Sequence, residues 1–251
     1  MTAAATLTPT LGHPGVTNSQ LGVEVAQSAS GYVPLIATGT IMTTIDPFRG
    51  GGEVIRLRVP AGTTAIPTGG AAIWTPNFDY AILPNTTLLG QSVAFAVNAV
   101  PLNAGFDQYA WFYIGGVVPC YSNASVAANT AIGIAAAGQL GANAASKQIL
   151  NARVSAAATT TVVKANCSTV SGSPTLRVPN TDGWFIGVYL SGTGIAAGAT
   201  VTAIDSSGTL VTMSANATAT GGASVTATYN NSTNFWNVCQ INRPMAQGPI
   251  T

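Results

Sequence analysis

The sequence predicts an all-β fold: a β-barrel or sandwich core with an extended N-terminal arm and a small inserted β domain. Three observations carry this prediction. Apolar and polar residues alternate with period two in several short runs. Gly, Pro and Asn punctuate those runs. The one Ala-rich stretch that could pass for a helix, residues 124–145, is broken by Gly133, Gly138 and Gly141 and lacks an apolar stripe at i, i+3, i+4.

Residues 1–45 mix Thr, Gly, Pro and Ser with short apolar runs and show no helical period, which reads as an extended arm. Ordering such a segment alone costs backbone entropy with little burial in return, so an arm of this kind is suited to lying on a neighbour. Residues 53–59 alternate, with Arg56 and Arg58 on one face and Leu57 and Val59 on the other. Further strands are expected at 71–75, 92–97, 109–114, 117–121, 148–158 and 236–241, with short strands and turns across 124–145. From about Lys164 to Asn231 the chain becomes almost wholly Thr, Ala, Ser, Gly and Val, and a meander is expected over 199–204, 209–214 and 224–229. There Thr226 and Thr228 alternate with Val225, Ala227 and Tyr229. Phe235 and Trp236 then restore aromatic density, so residues 164–231 read as an insertion into a core formed by 46–163 and 232–251.

Composition narrows the function. Charged residues make up 6% of the 251, net charge is +1 and 47% of residues are hydrophobic, against an ordinary charged share of roughly 25%. A folded chain with so few like charges to keep copies apart is suited to being covered by neighbours in an assembly. No run approaches the roughly 18 apolar residues of a spanning helix, and Met1-Thr2-Ala3-Ala4 lacks the features of a secretory signal, so no membrane association and synthesis in a cytoplasm are expected. Cys120, Cys167 and Cys239 have no metal-ligand spacing and read as buried free thiols.

The residues that chemistry needs are sparse. His13 is the only histidine and lies between Gly12 and Pro14 in the arm, without the scaffold or carboxylate that a general base requires. Glu24, Asp46, Glu53, Asp79, Asp107, Asp182 and Asp205 are scattered and form no calcium loop. Gly50-Gly51-Gly52 is followed by Glu53 and a strand where a phosphate loop needs Lys and a helix, so it reads as a flexible turn. Arg49, Arg56 and Arg58 are too few to neutralise a nucleic-acid backbone. The expectation is a protein that is not an enzyme and takes no cofactor, metal or nucleic acid.

Residues 106–119, with Tyr109, Trp111, Phe112 and Tyr113 ahead of Gly115-Gly116-Val117, resemble a segment of tailed-bacteriophage capsid decoration (cement) proteins. Residues 90–97 upstream, and 124–130, 136–140 and 147–152 downstream, resemble the adjoining strands and turns of that family, so the likeness covers about 50–158. Residues 185–205 look like a β module found repeatedly in phage virion proteins. The resemblance implies a virion structural protein on the capsid surface, binding the major capsid protein and copies of itself as a homotrimer; a tail-fibre or other receptor-binding component is the alternative. The interface candidates are Tyr32, Leu35, Ile36, Phe48, Arg49, Arg56 and Arg58.

Overall fold

The computed structural model describes residues 16–17, 23–26, 33–46, 50–87, 89–205, 207–231 and 233–248. Among these, every helix or strand assigned is a strand, and the fold is all-β and sandwich-like. The first sheet contains β1 (Val16–Thr17), β2 (Glu24–Val25), β3 (Ile41–Asp46), β4 (Gly50–Val59), β5 (Ala71–Trp74), β6 (Tyr80–Ile82), β7 (Ala94–Ala96), β8 (Gln108–Ser122), β9 (Ala131–Ala136), β10 (Gln139–Ala142) and β11 (Gln148–Ala156). A separate sheet follows, made of β12 (Thr161–Thr169), β13 (Thr175–Arg177), β14 (Tyr189–Gly192), β15 (Val201–Ile204), β16 (Leu210–Met213) and β17 (Gly221–Thr228). The last strand, β18 (Phe235–Ala246), returns to the first sheet.

The long strand β8 organises the first sheet. Its N-terminal half lies between β4 and β7, and its C-terminal half pairs with β18 and, at Ser122, with β10. Because β10 pairs β9, β9 pairs β11 and β11 pairs β18, these pairings close a ring through β8. The sequence predicts two strands split at Gly115-Gly116, but one strand runs through. Glu53 faces Gly115 while Val54 faces Tyr113, so Ile114 is the extra residue of a bulge at the point where β8 changes partner from β4 to β18. Backbones approach closely here. A Cβ on Gly116, which has φ +106°, would lie 2.9 Å from the Gly52 Cα, and one on Gly52 would lie 2.8 Å from the Gly115 carbonyl oxygen. Gly50-Gly51-Gly52 is therefore the start of β4, paired with Asp46, Ile45 and Thr44, rather than the flexible turn expected.

The part of the sheet built on β4, β8, β7 and β5 is buried on both faces. Val54, Trp111, Tyr113, Phe95 and Ala71 enter one core, and Ile55, Leu57, Phe112, Ala96 and Ala72 enter another. Residues 41–45, placed in the arm by sequence, belong to β3, a sheet strand antiparallel to β4, and the short strands β1 and β2 also pair within this chain, with β3 and β8.

In the second sheet the order is β14-β17-β12-β13-β16-β15. The expected meander is only partly realised: β15 and β16 form a hairpin, but β16 pairs onward with β13, and β17 lies between β12 and β14. Its two outer strands meet. Val201 donates to the Val188 carbonyl at 3.0 Å, Leu190 donates to the Ala199 carbonyl at 2.8 Å, and Tyr189 bridges Thr200, which closes the sheet and covers its edges. Val225, Ala227 and Tyr229 point into the resulting core and Thr226 and Thr228 away from it, as their alternation predicts.

Strand β18 joins the two halves. Cys239 and Ile241 face the first core, whereas Trp236 and Val238 face the second. Trp236 packs against Tyr121, Phe185 and Tyr189 at centroid distances of 5.7, 6.4 and 5.7 Å, and its indole N–H donates to the Thr68 carbonyl at 2.9 Å. The neighbouring Asn237 is fully buried. Its Oδ1 accepts from the Val126 and Ala158 amides at 2.9 and 3.0 Å, and its Nδ2 donates to the Ala124 carbonyl at 2.9 Å. Ala158 in turn accepts from the Asn230 side chain, so the entry to β12 and the exit from β17 are tied together beside β18.

Candidate functional site

Tyr32, Phe48 and Arg49 lie outside the described residues, as does His13. The four remaining interface candidates sit around one end of β4 but are not equivalent. Arg56, named from sequence as an interface candidate, is buried in this chain, with 1% of its side chain exposed. The reason is long-range. Strand β2 lies along β8 and brings Glu24 to the guanidinium as an ion pair, while the Trp111 and Tyr109 rings cover the group at 5.4 and 5.8 Å. Arg58, one alternation further along β4, reaches Asp79 at 2.7 Å and Asp107 at 3.3 Å. Its hydrogen bond to Asp79 is the chief cause that holds its pKa above the ordinary arginine value. Both arginines thus tie this chain to itself.

Ile36 is half-buried against the first core. Leu35 is different: the residue is 76% exposed, and Val33, two positions before it, is 81% exposed. The segment is anchored although its side chains are not, because the Leu35 amide donates to Glu24 Oε1 at 3.1 Å. Glu24 thus serves Arg56 on one side and Leu35 on the other. Val25, the next residue, is exposed and paired with Gln108, and the Ala26 amide donates to the Asp107 carbonyl at 2.9 Å. Phe106 and Leu102 follow in the adjoining loop, both exposed, and the Asn103 side chain accepts from the Gly105 and Phe106 amides there. Val25, Leu35 and Phe106 are therefore exposed on backbone that is hydrogen-bonded in place, and Val33 and Leu102 are exposed close to them in sequence. Sequence reasoning named only Leu35 of these five. Their exposure depends on a loop and an arm meeting across the sheet, which has no local signature.

A second feature is an apolar groove of about 530 Å³ lined by Ile66, Pro67, Tyr80, Ile82, Val100 and Pro101, among others. Tyr80 stacks on Phe112 at 5.6 Å, and burial pushes its phenol up to about 12. The sign is direct: above pH 10 the unfolded chain ionises Tyr80 while the folded chain keeps it neutral, so stability falls between about pH 10 and pH 12. Urea melts across that interval should show a loss of about 2–3 kcal/mol from this group, reduced in Tyr80→Phe; an identical pH profile for the variant contradicts the assignment.

Five of the carboxylates are used structurally. Asp79 and Asp107 meet Arg58, Glu24 meets Arg56, and Glu53 meets Arg243 at 3.3 Å. Asp205 accepts from Ser207, Thr209 and Leu210 within its own turn, and the Ser207 hydroxyl is the main cause of its lowered pKa. Cys120, Cys167 and Cys239 are free and buried, and burial raises the Cys120 thiol well above its ordinary value. Among the described residues no group of three His, Cys, Asp or Glu side chains is placed to hold a metal ion, and no helix is long and apolar enough to cross a membrane. No family model, curated protein or solved structure matches this chain.

Proposed function

We propose that this chain is a virion structural protein, a capsid decoration protein that binds the assembled major capsid lattice and stabilises the head. The observation that carries this reading is the anchored apolar end of the first sheet, where Val33 and Leu35 stand in solvent and Glu24 holds the Leu35 amide. Clustered exposed apolar side chains mark docking surfaces, and here they occur on a chain with only 6% charged residues. A protein that binds the assembled shell and not its free subunits stabilises the shell by mass action. Closed symmetry among copies of the chain, a homotrimer at threefold positions, suits such a lattice.

The test is occupancy on purified shells that lack the protein. Val33→Asp with Leu35→Asp should lower occupancy by about tenfold or more, while thermal melting stays close to that of the parent because both side chains are exposed in the free chain. Unchanged occupancy contradicts the docking surface. Deleting residues 1–40 is a blunter test, because it also removes Glu24 from Arg56.

A further inference from the structure

On the outer face of the second sheet, where β12, β13 and β17 adjoin, a groove of about 300 Å³ is lined by Ser168, Val170, Ser173, Thr175, Arg177 and Thr220, among others. Strand parity builds it. Leu176 is buried in the module core, so its neighbours Thr175 and Arg177 point outward. Ser168 lies directly opposite Arg177 on one side and opposite Gly222 on the other, so the floor beyond Ser168 is bare backbone. The Ser173 hydroxyl accepts from the Thr175 amide at 3.1 Å and the Thr220 hydroxyl accepts from the Ser171 amide at 2.8 Å, which orients both and leaves each O–H to donate. Val170 adds one well-exposed apolar side chain.

Arg177 sets this groove apart. Among the described residues the other cations are engaged: Arg56 with Glu24, Arg58 with Asp79 and Asp107, Arg243 with Glu53, Lys147 with Asn85, Lys164 with Asn180, and Arg153 with the Asn129 carbonyl. The Arg177 side chain has no ion pair or hydrogen bond to any described residue. Leu210 is its partner across β16, and Asp205, across the hairpin from Leu210, already has its carboxylate taken by its own turn. An exposed guanidinium with no acid to pair it, ringed by hydroxyls, matches a ligand that carries one carboxylate and several hydroxyls. The guanidinium fork fits a carboxylate through two parallel hydrogen bonds, and Ser and Thr hydroxyls exchange hydrogen bonds with sugar hydroxyls in both directions.

We infer that this groove binds an acidic sugar residue of the hexuronate type, with its carboxylate on Arg177, ring hydroxyls on Ser168 and Thr175, and a C–H face against Val170. The inference is independent of where the chain sits on a particle. Amide NMR of the full chain, titrated with methyl β-D-glucuronide, methyl β-D-glucoside and inorganic phosphate, tests it. The glucuronide should shift the Ser168, Thr175 and Arg177 amides, and the glucoside, which lacks the carboxylate, should bind about tenfold more weakly or worse. Arg177→Ala and Arg177→Gln, on an exposed strand position, should keep the parent melting temperature and lose the glucuronide to the same degree. Silence at those amides overturns the inference, as does equal binding of the glucoside, equal binding of phosphate, or retention of the glucuronide by both variants.

Discussion

Asn237→Ala should destabilise the chain by about 3–5 kcal/mol, since it leaves buried amides at Val126 and Ala158 and a carbonyl at Ala124 without their partner, and each such loss costs about 1–3 kcal/mol. The residue is fully buried, so water has no ready route to replace it. Its partners lie 79 to 113 residues away in sequence, which places the whole loss on contacts between β18 and the segments that precede β9 and β12. Urea unfolding measures the effect. Asn242→Ala, on the exposed side of the same strand, is the control and should change stability by less than about 0.5 kcal/mol. A loss below about 1 kcal/mol for Asn237→Ala, within the cost of a single unmet hydrogen bond, contradicts the role given to this side chain.

Arg56→Ala should cost about 3–5 kcal/mol, the penalty for breaking a buried ion pair from one side. The substitution removes the guanidinium that pairs with Glu24 and lies against the Trp111 and Tyr109 rings. Arg56→Met keeps most of the aliphatic stem and removes the charge, and Glu24→Gln with Arg56→Met removes both charges. The double variant should recover part of the loss, because Gln at position 24 no longer carries the charge that Arg56 balances. Chemical denaturation of the parent, both single variants and the double variant gives the coupling. Strict additivity contradicts a direct pair. The same cycle bears on the docking surface: weakening the hold on Glu24 frees the Leu35 amide, so shell binding should fall even though no exposed side chain has changed.

How much of this was legible in the sequence follows from distance along the chain. Period-two runs at 53–59, 71–75, 109–114, 117–121 and 236–241 fall in strands, because alternation is local and the pleat reads it directly. Pairing order is not local. Strand β17 joins β12 rather than the preceding β16, and no residue within 199–229 announces that choice. Gly50-Gly51-Gly52 suggests a turn when read alone, and becomes a strand only because Gly115-Gly116 arrives opposite to share the close approach. Arg56 has the alternation of an exposed residue and is buried because Glu24, 32 residues upstream, covers it. Asn237 could have been found. Within 235–241 it shares inward parity with Cys239 and Ile241, and a polar residue at such a position has to be satisfied by something.

The candidate docking surface was the least legible part. Leu35 stood out as an apolar residue in a Gly- and Pro-rich stretch, whereas Val25, Leu102 and Phe106 became relevant only once β2 and the loop before β8 met at the same sheet end. The low charge content, by contrast, was plain from composition, and it supports the proposal more broadly than any single residue does.

The measurement that bears most directly on the proposed role is the number of copies of this chain in purified, intact particles, counted by quantitative mass spectrometry against the major capsid protein. A lattice-bound decoration protein predicts a copy number that scales with the shell, in the hundreds; a handful of copies per particle, or none, contradicts it and moves the chain to a tail or out of the particle altogether.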